Sequence, residues 1–186
     1  MREASSSCSS DITIPPTGLA YASGRLLDWA GKDVAYAHLR GLDLAGAQLQ
    51  GCNFRGADLR GACLRGVDAR GAVFDEADLR AADCTEALLQ GASFRRARLD
   101  GASFRQALLL SVHFEQASLR GTDCSNAQCE WAWCDGVDWQ ETVVVCAWFL
   151  NARGLSTAAC DTIERRGGFT GVRAMILGRE LYETPQ

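Results

Sequence analysis

Three thiols and two imidazoles are the residues of this 186-residue chain best suited to chemistry. Cys124, Cys129 and Cys134 recur at equal intervals, and three converging thiolates would make a zinc or redox centre. The interval is five residues, wider than the two-to-four-residue gaps of structural zinc sites. Cysteine is also a good small hydrophobe, so core packing is the expectation for all three. His38 and His113 fall far apart, and no Ser/His/Asp or Cys/His arrangement can be assembled around either. The many aspartates are spread along the chain and form no paired acid and base. The sequence therefore predicts no catalytic residue, no metal site and no cofactor.

What positions these residues is a five-residue period running from Ala37 to about Phe149. A large apolar residue holds every fifth place: Leu39, Leu44, Leu49, Phe54, Leu59, Leu64, Phe74, Leu79, Leu89, Phe94, Leu99, Phe104, Leu109, Phe114 and Leu119. Two places earlier sits a small residue, usually Ala, and two places later often Gly. On an α-helix five residues advance about 500°, which smears the apolar positions around the axis. On a plain strand residues five apart point to opposite faces. A short extended piece followed by a corner fits both facts. Ala57 and Leu59 point in, Asp58 and Arg60 point out, and Gly61 turns the chain. Stacking such corners gives an all-β solenoid whose coils satisfy each other's backbone groups.

The run Ala-Asp-Leu-Arg-Gly at 57–61, nearly repeated at 77–81, resembles the pentapeptide repeat proteins. The resemblance implies a right-handed quadrilateral β-helix with four pentapeptides per coil, hence about five coils here. Side chains twenty residues apart would then stack, with Cys124, Cys129 and Cys134 on three sides of one coil. It also implies a binding module, because the family is known mostly for protein contacts.

In chain order, residues 1–18 read as a Ser-rich disordered tail and 19–36 as an N-terminal cap. Residues 37–151 form the repeat, without an inserted loop. Residues 152–186 form a C-terminal cap, a helix capped by Ser156 and ended by Gly167-Gly168, then an apolar tail with Val172, Met175, Ile176 and Leu177. A net charge of −4 and a pI near 5.2 mark neither a general nucleic-acid binder nor a membrane binder. With no membrane-length apolar run and an odd number of cysteines, nine, the expected location is cytoplasmic.

Two surface features remain. Family members that confer quinolone resistance resemble DNA in width and charge and bind gyrase, so naked acidic rows would point to mimicry. Here Asp58, Asp78, Asp43 and Asp83 have arginines one column away. Residues 121–141 lack Lys and Arg, making Asp123, Glu130, Asp135, Asp138 and Glu141 a candidate acidic patch. The second feature is apolar. Leu88, Leu108, Leu110, Trp148 and Leu150 map outward onto one side, with Trp131 and Trp133 on this or a neighbouring side. Such a surface is expected to be covered by the segment after Gly154, by a second copy in a homodimer, or by a protein partner.

Overall fold

A computed structural model describes residues 27–171. Expectations for residues 1–26 and for the stretch from Val172 onward lie outside the described residues.

The chain winds in coils of twenty residues. Parallel bridges join His38 to Asp58, Asp58 to Asp78, Asp78 to Arg98 and Arg98 to Ser118, and corresponding ladders run down three other sides. Side one is centred on Leu39, Leu59, Leu79, Leu99, Leu119 and Trp139; side two on Leu44 through Val144. Side three is centred on Leu49, Ala69, Leu89, Leu109, Cys129 and Phe149; side four on Val34, Phe54, Phe74, Phe94, Phe114 and Cys134. Each rung makes a reciprocal pair: Leu39 N donates to Asp58 O at 2.8 Å, and Asp58 N to Ala37 O at 2.9 Å.

The corners explain the period. Ala57 N donates to Phe54 O at 3.0 Å across a tight turn whose third residue, Gly56, has a φ of 63°. This left-handed angle suits glycine. Further along, Glu76, Ala81, Arg96 and Trp131 hold the same angle without being glycine, each with the steric cost of a Cβ beside a carbonyl. The N–H that the corner leaves over is taken by the side chain before it. Asp43 Oδ1 accepts from Ala45 N, and Asp58 Oδ1 accepts from Arg60 N. The recurrent Asp is thus a turn acceptor as well as a surface charge.

Inside, the centre residues and the small residues two places before them fill the axis. The centres from Val34 to Phe149 are buried, as are alanines such as Ala57, Ala77 and Ala97. On side four Phe54, Phe74 and Phe94 stack at 4.8 and 4.9 Å, nearly parallel, so the ring spacing reports the rise per coil. Thr122 and Thr142 occupy small-residue positions and donate their hydroxyls to Leu99 O and Leu119 O, which satisfies them in the core.

Two features depart from the regular repeat read in the sequence. Coil pairing begins before Ala37: Asp28 bridges Gln48, Asp33 bridges Asn53, and Trp29 and Val34 are buried in the core. These centres keep the phase of Leu39, but Leu27 and Lys32 stand where the small residue should be and hide the repeat. Lower down, Trp139 replaces the leucine of side one. Its indole is larger, the side-one ladder stops at Ser118, and Gly121 N reaches Glu141 O at 3.2 Å, one residue beyond the regular partner. Trp139 is buried edge-on against Phe149, with its Nε1 unpartnered among the described residues.

After Asn151 the chain forms helix α1, Thr157–Arg165. Ser156 Oγ accepts from Ala159 N at the start, Ile163 is fully buried, and Gly167 turns with a φ of 88°. The chain then rejoins the last coil. Cys146 N donates to Gly167 O at 2.8 Å, Phe149 N to Phe169 O at 2.7 Å, and Phe169 N to Ala147 O at 2.9 Å. A Cβ on Gly168 would stand 2.6 Å from Ile163 Cγ2, so only glycine lets the helix lie this close.

Candidate interaction surface

Cys124, Cys129 and Cys134 are buried in one coil. Burial pushes the thiols up, to about 12 for Cys124 and well above the ordinary value for Cys129 and Cys134, so they are protonated at neutral pH. A protonated, desolvated thiol is neither a nucleophile nor a ready ligand. Among the described residues no group of three or more His, Cys, Asp and Glu side chains is arranged for a metal ion. His38 is on side one, and half-buried His113 on side four. Arg95 Nη2 lies 3.0 Å and Glu115 Oε1 3.1 Å from His113 Nδ1, while its ring stacks on Trp133 at 5.6 Å. Arg153 lies over the other part of the stack, 4.5 Å from the Trp133 ring. A shallow groove at the corner after side four is lined by Arg55, Asp75, Glu76, Arg95, Arg96 and Glu115. Two ion pairs close across it, Arg55 with Glu76 at 2.8 Å and Arg95 with Glu115 at 3.3 Å, while Arg96 donates to Gln116 Oε1 at 2.9 Å and Asp75 accepts from Arg95 N at 3.0 Å.

Side one is a charge zipper. Arg60 forks onto Asp58 with contacts of 2.7 and 2.6 Å, and Arg80 onto Asp78 with 2.8 and 2.7 Å. Arg98 adds a contact to Asp78 from the next coil at 3.5 Å. The bonded guanidinium holds each carboxyl below the usual carboxylate range, Asp58 far below it. Arg70 does the same for Asp68 on side three.

The acidic residues of 121–141 are spread around one coil. Asp138 is on side one, Asp123 on side two, Glu130 on side three and Asp135 on side four, so they girdle the coil. Two are paired from the coil above: Asp123 with Arg105 at 3.4 Å and Glu141 with Arg120 at 2.9 Å. The arginines lie 18 and 21 residues earlier, so a reading along the chain misses them.

Side three is different. Its outward columns carry Leu88, Leu108 and Trp148 before the centre and Leu110 and Leu150 after it. The four leucines are half-buried, and Trp148 is 41% exposed. Trp131, 52% exposed, stands at the corner that comes next, and Trp133 lies round it on side four. Val143 and Val145 continue the apolar surface onto side two. The segment after Gly154 reaches side three at Trp148, where the Phe169 ring packs at 4.9 Å. Helix α1 itself lies at the end of the rod, its Ile163 against Gly168 and its neighbour Arg166 reaching Thr142 O. Two polar atoms in the same columns have no partner among the described residues: Gln90 Oε1 and Glu130 Oε2, both buried. Nothing in the linear pattern signals these two orphans.

No helix among the described residues is long and apolar enough to cross a membrane. No curated protein sequence matches the chain. Among solved structures it is similar to a pentapeptide repeat protein of the Arabidopsis thaliana thylakoid lumen, at 32% identity over 54% of this chain and 67% of that one, with a TM-score of 0.42. It is also similar to HetL, a pentapeptide repeat protein involved in heterocyst differentiation regulation in Nostoc sp. strain PCC 7120, at 29% identity over 67% and 65%, TM-score 0.40. QnrB1, a plasmid-mediated fluoroquinolone resistance protein, matches at 16% identity over 86% and 99%, TM-score 0.33. The chain thus spans about two thirds of the length of the first two. Eight copies of the signature described as Pentapeptide repeats cover residues 37–132, just over half of the sequence. With that signature laid on a twenty-residue coil, the chain belongs to the pentapeptide repeat family, whose fold is the right-handed quadrilateral β-helix.

Proposed function

We propose that this is a non-enzymatic protein-binding rod and that side three is its contact surface. The observation that carries the reading is the outward apolar column of Leu88, Leu108, Leu110, Trp148 and Leu150. The same positions on side one hold Asp58, Arg60, Asp78 and Arg80, so the backbone does not require apolar residues there. Removing several hundred Å² of such surface from water contributes on the order of 10 kcal/mol before ordering and association costs, enough for a partner or for a second copy of the chain. The buried, protonated thiols fit a reducing cytoplasm, and the net negative charge fits neither nucleic acid nor a membrane surface.

A gyrase-binding DNA mimic is the competing reading. It needs rows of unpaired acids, and the forked Arg–Asp pairs of side one work against it. The likeness to QnrB1 at this identity bears on the fold alone.

A photo-crosslinking residue at position 110 should form adducts with a partner or a second copy, and one at position 60 should not. Leu110→Arg should abolish association at unchanged melting temperature. Equal crosslinking from both positions would refute the assignment of side three.

A further inference from the structure

Side three carries an unbroken ladder of eight rungs from Asp28 to Phe169, and its midpoint falls between Leu88 and Leu108. Turned end over end about that midpoint, the side is complementary to itself. A twofold axis along the strand direction keeps each column opposite its own column and reverses the order of the coils. Leu88 of one copy then faces Leu108 of the other, twice over, so four half-buried leucines close the centre. No other antiparallel register overlaps all eight rungs.

Charge follows the same twofold. One coil out from the centre on either side, Arg70 faces Glu130 of the second copy. Within one chain the two stand three coils apart, roughly 14 Å at about 4.8 Å per coil, too far to pair. Arg70 donates Nε and Nη2 to Asp68 and its side chain is 56% exposed, which leaves Nη1 for another acceptor. Half-buried Glu130 carries Oε2 with no partner among the described residues, and unpartnered buried acceptors are rare in native proteins. A slip of one coil either way would set Arg70 against Leu110 or Leu150. Parallel rods would set Glu130 against Gln128, still without a cation. Shape agrees with charge: at the corner after side three, exposed Trp131 comes opposite Gly71, where a Cβ would meet nothing within 4 Å.

We propose that two copies of the chain pack antiparallel through side three, with a Leu88 and Leu108 centre flanked by two Arg70–Glu130 pairs. This rests on side three being the contact surface and names its occupant. One face wide and eight rungs long, the contact buries on the order of 1,000 Å² in total, the low end for specific interfaces. The dimer should therefore form at micromolar concentration, with the leucines supplying affinity and the charge pairs the register.

Sedimentation velocity of the full-length chain across the micromolar range should show the parent passing from monomer to dimer. Arg70→Glu and Glu130→Arg should each raise the dissociation constant more than about tenfold, because each sets two like-charged pairs face to face. Mixed in equal amounts, the two variants should associate as tightly as the parent, since both facing pairs are then opposite in charge. Because Arg70 also holds Asp68 within its own chain, Glu130→Arg and the mixture carry the test; recovery on mixing cannot come from a folding defect. If the single reversals leave the dimer intact, or their mixture fails to restore it, while Leu110→Arg dissolves it, the copies meet through side three in another arrangement and this one is overturned. A parent that stays monomeric throughout refutes the dimer, and a photo-crosslinker at position 110 that then captures another protein leaves the surface reading standing. If a parent dimer survives Leu110→Arg, both readings fall.

Discussion

Sides one and three of the rod share a backbone, a rung spacing and a leucine-rich core column, yet they show water opposite chemistries. On side one the residues flanking each centre are a carboxylate and a guanidinium that fold onto each other, Asp58 with Arg60 and Asp78 with Arg80. On side three the same places pass from Gln48 and Gln50 through Asp68 and Arg70 to Leu108 and Leu110. Folding fixes the inward residue and the corner, and where an Asp stands before the centre, as at Asp43 and Asp58, it also uses that outward side chain as a turn acceptor. The other outward places are freer to vary.

The comparison implies that inward residues are interchangeable between the two sides. Leu59→Ala and Leu89→Ala should each cost about 2–5 kcal/mol, with overlapping urea melts. Widely different losses would show that the sides are not equivalent inside. A graft is the sharper test. Replacing Asp58, Arg60, Asp78 and Arg80 by leucine turns side one into a copy of side three. The chain should stay folded but self-associate in light scattering, because each half-buried ion pair and each turn acceptor lost costs only about 1 kcal/mol.

Titration offers a third contrast, between the zipper and the core of the last coil. Asp58, Asp68 and Asp78 have folded pKa values below their unfolded ones, so their stabilisation is present above about pH 4 and is lost as pH falls through the depressed values. The thiols of Cys124, Cys129 and Cys134 are shifted upward. Their contribution is complete below about pH 8.5 and is lost as pH rises towards the raised folded values. Melting temperature should therefore fall at both ends. Arg60→Ala with Arg80→Ala should soften the acid limb only, and Cys124→Ala with Cys129→Ala the alkaline limb only. The smallest effect concerns corners. Ala81→Gly removes a left-handed strain of about 1–2 kcal/mol but adds about 0.5–1 kcal/mol of unfolded-state entropy, a net gain of about 0–1.5 kcal/mol in a denaturant melt.

How far the sequence could be read depends on what each residue answers to. Leu59, Phe94 and Arg60 obey the five-residue phase alone, so their direction was legible, and so was the N-cap at Ser156. Asp28 and Trp29 keep the phase, but Leu27 and Lys32 break the accompanying small-residue signal. The pairing of Asp123 with Arg105 depends on neighbours a coil away, and the orphaned Glu130 Oε2 on packing in three dimensions. Trp139 looked like one more centre, and only its volume against Phe149 shows why the ladder beside it slips.

That slip divides the rod mechanically. Above it every coil is clasped to the next on four sides; between Ser118 and Asp138 one clasp is missing. A coil touches only its neighbours, so tension on the chain is carried rung by rung. Pulled from its two ends, the molecule should first release the terminal segment, which one bridge at Trp148 and Phe169 holds, and among the coils should yield next at this level. The last coil would then peel away while the phenylalanine stack above keeps its length. The apolar end of side three, at Trp148 and Leu150, would leave with the detached piece, so traction on a tethered rod would uncouple whatever is held there before it unravels the remainder.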